Sequence, residues 1–488
     1  MAERYILVLD EGTTSTRAML FGLDGKLHGA DQRELTQHYP RPGWVEHDAG
    51  EIWERTFECA RAMVDKAGGA GRIAALGIAN QRETVVAWDR ASGEPLARAI
   101  VWQDRRTADA CAALREAGHE PAVQQATGLL LDPYFSATKM RWLLDHEPAV
   151  AAAAVAGRLA FGTIESWLTF KLAGGAHVSD ASNASRTLLL PLTGASWDAD
   201  LCDLFGVPPA ALPEVVDTSG ALGVTELFGA PIPICGMAGD QQAATIGQGC
   251  FAQGDVKATY GTGAFILANM GEAAPRSANR LLGTVLCQQD GWRTYALEGS
   301  IFVAGSLIKW LRDSLGLLSS ADESEALARS VPDSGGVVIV PAHSGLGAPH
   351  WRPDARGLIS GLSFATTPAH IARAALEAMA HQTHDLAEAF AADGAPWQDL
   401  RIDGGMSAND WMAQDIADLT ELTVERPDFV ETTALGAALL AATGAGLFAS
   451  LEEAAKAMIG TTRRFEPSMD EEMRAERIAR WREALARV

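Results

Sequence analysis

Strand and helix patterns alternate along these 488 residues, which predicts an α/β protein, and two observations sharpen that class to two lobes of related design. The first is a repeated turn. A strand-turn-strand segment over residues 5–21, with Gly12-Thr13-Thr14-Ser15 at its bend, has a counterpart over residues 257–267 with Gly261-Thr262-Gly263 at its bend. The second is length. At 48% hydrophobic and 21% charged, 488 residues suffice for two large domains with separate cores. Gly247, Gly249 and Gly254 interrupt the pattern just before the second hairpin, so the expected division is 1–248 and 249–488.

Taken in order, Tyr5-Ile6-Leu7-Val8-Leu9 is a short apolar strand that gives out at Asp10. Gly12 lets the backbone turn, and Ala18-Met19-Leu20-Phe21 resumes strand character before an Asp24-Gly25 turn. Backbone N–H groups over residues 12–14, with the Thr13 and Thr14 hydroxyls, can hold phosphate oxygens as an anion nest. Asp10 can position Mg²⁺ beside them, directly or through water. By itself this segment is equally well an ordinary hairpin with a polar turn.

Asp48-Ala49-Gly50-Glu51 reads as a capping box, and Ile52, Trp53, Phe57, Ala60 and Met63 carry helical spacing to about Lys66. Residues 73–78 read as a strand with Asn80-Gln81-Arg82-Glu83 as its polar end, and 84–88 as the next strand. Residues 136–146 are helical. Pro233-Ile234-Cys235 leads through four small or apolar residues to Asp240, a second strand-end carboxylate. Arg401-Ile402-Asp403 reaches the Gly404-Gly405 pair, where a flat ring or a phosphate can approach the backbone, and a helix follows from about Asp410. Residues 434–449 form a buried helix and a glycine-rich turn, short of the ~20 residues of a membrane span. The last twenty residues alternate charge and read as a solvated terminal helix.

A formal net charge of −22 disfavours nucleic acid and anionic membrane surfaces as partners. Six scattered cysteines show no CxxC or His pairing, and the only apolar run near the start, residues 6–9, is too short for a signal-peptide core, so a reduced, cytoplasmic protein is expected. Neither GxxxxGK[ST] nor GxGxxG occurs, which removes the P-loop and the Rossmann fingerprint as explanations of the turns.

Two phosphate-type hairpins plus a late glycine pair resemble the actin-like ATPase architecture, in which nucleotide and substrate share a cleft between duplicated, ribonuclease H-like domains. Two further segments resemble both signatures of the FGGY carbohydrate kinases. They are Tyr134-x-Ser136-x-x-Lys139-Met140-x-Trp142-Leu143-x-Asp145-His146, and Gly357-x-Ile359-x-Gly361-Leu362 followed after seven residues by His370-Ile371-x-x-Ala374-Ala375-Leu376-Glu377. The blocks Asn80-Gln81-Arg82-Glu83-Thr84, Trp102-Gln103-x-Arg105-Arg106, Asp132-Pro133-Tyr134-Phe135-Ser136 and Gly239-Asp240-Gln241-Gln242 are similar to those of glycerol-phosphorylating members rather than members acting on xylulose, ribulose or gluconate.

That resemblance implies ATP-dependent conversion of glycerol to sn-glycerol 3-phosphate and ADP, the entry step of glycerol catabolism. It further implies Mg²⁺, a homodimer or homotetramer, and neither nucleic acid nor stable membrane insertion. Arg82, Glu83, Tyr134, Asp240 and Gln241 would hydrogen-bond the hydroxyls, while Trp102 and Phe265 would pack on the carbons. A three-carbon polyol needs such a mix of polar groups and flat wall. Asp240 would be the general base and would share the Mg²⁺ shell with Asp10; Arg17 would neutralise the γ-phosphate. Thr13, Thr14, Ser15, Arg17 and Thr262 would hold phosphates, and Gly305, Lys309, Gly405 and Asn409 would line the nucleotide.

Read without the resemblance, Trp102 and Phe265 are core aromatics, Arg82 and Glu83 a surface pair, Tyr134 a loop anchor, Arg17 a surface residue and Asp240 a helix cap. Strand neighbours such as Arg82 and Glu83 can reach one ligand only at a strand end or turn. A nucleotide-driven protein switch, a kinase for longer polyols or ketoses, and a silent sensor are the competing functions.

Departures from the family pattern carry expectations of their own. Glu11 stands where such members carry glutamine and adds negative charge beside the phosphate turn. Lys309 also replaces a glutamine, and either reaches a phosphate or snorkels to solvent. The passage over residues 226–233 lacks the glycine- and arginine-bearing loop that binds fructose 1,6-bisphosphate in enterobacterial members, so no inhibition of that kind is expected.

Overall fold

The computed structural model describes residues 4–352 and 354–488. Its main strands are β1 (Tyr5–Glu11), β2 (Ser15–Gly22), β3 (Leu27–Glu34), β4 (Ile73–Asn80), β5 (Ser219–Thr225) and β6 (Ile232–Gly239) in one sheet. A second sheet holds β7 (Val256–Tyr260), β8 (Ala264–Gly271), β9 (Leu282–Gln289), β10 (Trp292–Ile301), β11 (Asp399–Asp403), β12 (Thr423–Pro427) and β13 (Thr462–Phe465). The helices that matter here are α1 (Ala49–Ala67), α2 (Ser136–His146), α3 (Asp240–Gly247), α4 (Gly305–Asp313), α5 (Pro368–Ala392), α6 (Asp410–Thr420), α7 (Thr432–Gly444) and α8 (Glu471–Leu485).

The two sheets repeat one plan. In the first, β3, β2 and β1 are successive antiparallel neighbours, and β4 then β6 follow in parallel. In the second, β10, β8 and β7 are antiparallel neighbours, and β11 then β12 follow in parallel. Each sheet gains one antiparallel strand beyond its parallel pair, β5 and β13 respectively. The two-lobed α/β architecture is therefore a duplication. It places the β1–β2 turn and the end of β4 in topological correspondence with the β7–β8 turn and the end of β11.

Burial explains why β1 is apolar throughout. Leu7 and Leu9 face a cluster with Ile52, Cys59, Ala60 and Met63 of α1, whereas Ile6 and Val8 face one with Ala434, Ala438 and Leu439 of α7. A strand covered on both faces reads as a continuous hydrophobic run. The second covering helix comes from the far end of the chain, beyond the last residues of the first sheet. Its backbone approaches closely because side chains are missing where it docks. A Cβ on Gly436 would lie 1.8 Å from the Ala243 carbonyl oxygen, and one on Gly77 would lie 2.4 Å from that of Ala437. The second lobe is built alike, with Ala258 and Tyr260 of β7 among Leu376, Met379 and Phe390 of α5 and Met412 and Ile416 of α6.

Three local readings change. Asp48 caps α1 through the N–H groups of Gly50 and Glu51, at 2.8 and 3.1 Å, but Glu51 turns its carboxylate to Thr36, so the reciprocal half of the box is absent. The strand expected over 84–88 is shortened to Val86–Asp89, because Glu83 takes a left-handed backbone (φ 61°). The terminal helix α8 is not solvated all round. Arg477 is buried against Asp415 at 2.5 and 2.8 Å, and the indole N–H of Trp481 reaches Asp385 at 2.9 Å. All six cysteines are free and buried, and among the described residues no helix is long and apolar enough to cross a membrane.

Candidate active site

Strand ends from both lobes converge on Asp240. At the charged end, Asp10, next to last in β1, is almost buried and forms an ion pair with Arg17, whose Nη1 also donates to Glu431 Oε2 at 2.7 Å. Glu431 precedes α7, so the second half of the chain reaches into the first turn. Burial raises the Asp10 carboxyl above its ordinary value against the opposing pull of Arg17, and the negative charges of Glu431 and Asp240 push the same way. Both Asp10 and Asp240 offer carboxylate oxygens, the hard donors that Mg²⁺ takes, so the donor set fits that ion.

The phosphate turn is narrower than expected. Its first N–H, that of Gly12, is closed within the turn on the Ser15 carbonyl at 3.0 Å, which leaves Thr13 and Thr14 to supply the nest. Ser15 shares its hydroxyl with Gln32 at 3.1 Å, and Thr13 Oγ1 accepts the indole N–H of Trp102 at 2.9 Å. One hydrogen bond therefore ties the phosphate turn to the aromatic wall.

Glu11 corrects the sequence reading. Its side chain is wholly buried beside α1, 2.8 Å from Thr56 Oγ1, and burial pushes its carboxyl up to about 8. The protonated acid can donate to Thr56, whose own hydroxyl then donates to the Ile52 carbonyl at 2.7 Å. Glu11 adds no negative charge to the turn near neutral pH.

The residues expected to hold the polyol come together. The Trp102 ring meets Tyr134 and Phe265 edge to face, with centroids 5.7 and 6.3 Å apart, and Phe265 comes from β8 of the opposite lobe. Arg82 Nε lies 3.2 Å from Asp240 Oδ1 and its Nη2 3.3 Å from the Tyr134 hydroxyl. Gly239 lets that guanidinium pass, since a Cβ there would sit 2.7 Å from Arg82 Cγ. The left-handed backbone at Glu83 answers the alternation problem, because it turns the chain between Arg82 and Glu83 at the strand end. Asp240 opens α3, and its Oδ1 also accepts the Gln241 N–H at 2.7 Å. Its side chain is 34% exposed, where Arg82, Glu83 and Glu298 are 2% or less, so of the three carboxylates around Arg82 it is the accessible one.

On the nucleotide side, the Thr262 carbonyl accepts N–H groups from Ala304 and Ser306 at 2.9 and 3.1 Å, which seats α4 on the second turn. Gly305 makes that seat possible, as its Cβ would meet the Gly261 carbonyl oxygen at 2.5 Å. A Cβ on Gly405 would meet nothing within 4 Å, so open space lies beside that glycine, whereas Gly404 packs against the Tyr260 backbone. Asn409 caps α6 through Met412 N at 2.9 Å, and Lys309 is exposed on α4.

Sequence reasoning missed four charged residues of the site: Glu298, Arg186, Lys257 and Glu431. The available signal for Glu298 and Lys257 was a charge inside an apolar strand, since both lie fully buried in β10 and β7.

An acid–arginine pair at one strand end, an aromatic cluster beside it and a second glycine-threonine turn from the other lobe are the arrangement of a sugar- or polyol-directed phosphotransferase. Residues 5–247 match the N-terminal domain model of the FGGY family of carbohydrate kinases and residues 256–445 its C-terminal domain model, and the chain belongs to that family. It is 56% identical to a glycerol kinase of Aromatoleum aromaticum over 99% of this chain and 98% of that protein. It is 54% identical to one of Rhodospirillum rubrum, over 99% of each. Among solved structures, Plasmodium falciparum glycerol kinase with ADP superposes with a TM-score of 0.93 at 33% identity, covering 99% and 98% of the two chains. A xylulose kinase from Rhodospirillum rubrum follows at 0.86 and 27%, with the same coverage.

Proposed function

We propose that this chain transfers the γ-phosphoryl group of ATP to glycerol, giving sn-glycerol 3-phosphate and ADP, as the entry step of glycerol catabolism. The observation that carries the reading is the convergence of Arg82, Glu83, Trp102, Tyr134, Gln241 and Phe265 around the partly exposed carboxylate of Asp240, beside the 11–15 turn. The near-full-length identity to glycerol kinases supports the same substrate.

Phosphoryl transfer asks the protein for position and charge neutralisation more than for covalent chemistry. The aromatic wall packs on the carbon face, while Arg82 and Tyr134 orient hydroxyls. Asp240 accepts the proton of the attacking hydroxyl. Arg17, already delivered between Asp10 and Glu431, neutralises charge building on the γ-phosphate, and Thr13, Thr14, Ser15 and Thr262 hold phosphate oxygens. Asp10 and Asp240 would hold Mg²⁺, which supplies charge compensation at the phosphates. Gly305, Lys309, Gly405 and Asn409 border the nucleotide in this reading, with the open face of Gly405 the strongest support. Closure of the lobes excludes water from the reactive phosphate.

The same reading divides the chain at 1–248 and 249–488, with α7 reaching back under the first sheet. It also makes the protein a cytoplasmic homodimer or homotetramer. Exposed Leu362 and Phe364 are apolar groups that a subunit contact would cover. Incubation with ATP, Mg²⁺ and glycerol tests the reaction, with the product read by a dehydrogenase specific for sn-glycerol 3-phosphate. Stoichiometric product and ADP are expected; ADP without that product would refute the substrate or its regiochemistry.

A further inference from the structure

The guanidinium on which the polyol pocket rests is held from the opposite lobe. Glu298 lies fully buried on β10 and gives each carboxylate oxygen to a different first-lobe arginine. Oε2 pairs with Arg82 Nη1, and Oε1 lies 2.8 Å from Arg186 Nη2. Arg186 in turn donates its Nε to Glu83 Oε1 at 2.6 Å. Arg82 and Glu83 are thus both fastened, directly or through Arg186, to one second-lobe carboxylate.

Lys257 on β7 repeats the device on the other side of Asp240. Its ammonium donates to Gln241 Oε1 and, at 2.8 Å, to Thr259 Oγ1. The residues flanking Asp240 in space therefore take their positions from the second sheet, although they belong to the first lobe.

A buried guanidinium keeps its place only while its charge is compensated. Without Glu298, the nearest remaining carboxylate to Arg82 is Asp240, already 3.2 Å from Nε. Arg82 would then swing onto Asp240, leave the polyol and occupy the proton acceptor. The two arginines hold the Glu298 carboxyl below its ordinary value despite burial, consistent with a permanent anion there.

We infer that Glu298 is a positioning residue for the phosphoryl acceptor: it anchors Arg82 across the cleft, so that polyol binding depends on the register of the two lobes. The inference rests on the glycerol reading above. Glu298→Gln and Glu298→Asp in the full chain test it, through glycerol binding by calorimetry without nucleotide, separate KM values for glycerol and ATP, and thermal melting. Misplacement of a positioning group by about 1 Å can cost up to about a hundredfold. Glu298→Gln should weaken glycerol binding and raise its KM by about tenfold or more, with the ATP KM moving less than about twofold. Glu298→Asp keeps the charge but is one methylene short, so a smaller change in the same direction is expected; it decides the matter if Glu298→Gln does not fold. Folded variants with normal glycerol affinity would overturn the inference, as would glycerol and ATP constants rising together. A wild type that neither binds nor turns over glycerol would instead overturn the functional reading, and this inference with it.

Discussion

The 11–15 turn of the first lobe and the 260–264 turn of the second occupy equivalent places in duplicated sheets, yet an ion-paired arginine stands only at the first, while the charges beside the second, Lys257 and Asp403, are buried in β7 and β11. Asp10, Arg17 and Glu431 crowd the first turn, and Asp240 faces it from the start of α3. The second turn carries Thr262 and glycines, and its carbonyls serve mainly to seat α4. Topology was copied while chemistry was divided. In the proposed reading the first lobe supplies Asp10, Arg17 and the proton acceptor Asp240, and the second supplies Glu431, backbone, the Phe265 wall and the buried anchors Glu298 and Lys257.

The sharpest way to break this comparison is to remove the proton acceptor proposed for the first lobe. Asp240→Asn should lower kcat by roughly 10²–10⁴-fold with the fold intact, the range for loss of a general base. Near-normal turnover would strip Asp240 of that role. Arg17→Ala comes next, with an expected loss of about 10²–10³-fold in kcat, the scale for removing one preorganised charge-stabilising donor. The matching operation in the second turn, Thr262→Ala, removes a neutral hydrogen-bonding group and should cost no more than about tenfold. Equal losses in Arg17→Ala and Thr262→Ala, measured by steady-state kinetics, would erase the asymmetry.

Phe265→Ala addresses the second lobe's wall. It should raise the glycerol KM about tenfold with a smaller change in kcat, and admit longer polyols. Unchanged glycerol kinetics would make Phe265 a packing residue only.

The smallest kinetic effect belongs to Glu11→Gln, which should leave the ATP KM within about twofold because a neutral carboxyl is replaced by a neutral amide. Its effect should appear in stability. The folded carboxyl titrates near 8 against an ordinary value of 4.5, so the unfolded chain ionises first as pH rises and the native state loses stability from about 4.5 up to about 8. Removing that penalty should stabilise the protein by something on the order of 3 kcal/mol at pH 7 and by little at pH 4. Melting curves at both pH values check the sign, and a large shift in ATP KM would return a charge to the phosphate turn.

What could be read from sequence was what depends on near neighbours. The helix over residues 136–146 appears with those bounds, and both hairpin turns follow from glycine and threonine between short apolar strands. What escaped depends on partners far along the chain. The raised carboxyl of Glu11 comes from burial under α1, whose Thr56, 45 residues away, lies against it. Arg477 looked like one charge among many on a solvated helix until Asp415, 62 residues earlier, took it into the interior. Glu298 reaches Arg82 across 216 residues and between lobes, a distance over which no local pattern carries a signal.

The central claim, that the two lobes build a pocket for a three-carbon polyol around Asp240, is tested most directly by kcat/KM measured with Mg²⁺ and ATP for glycerol, dihydroxyacetone, xylulose, ribulose and gluconate. The account predicts that glycerol leads the longer substrates by at least about a hundredfold, the scale that a well-fitted pocket can enforce. A ketose or gluconate that matches or exceeds glycerol would contradict it, as would ADP formation that needs no polyol at all.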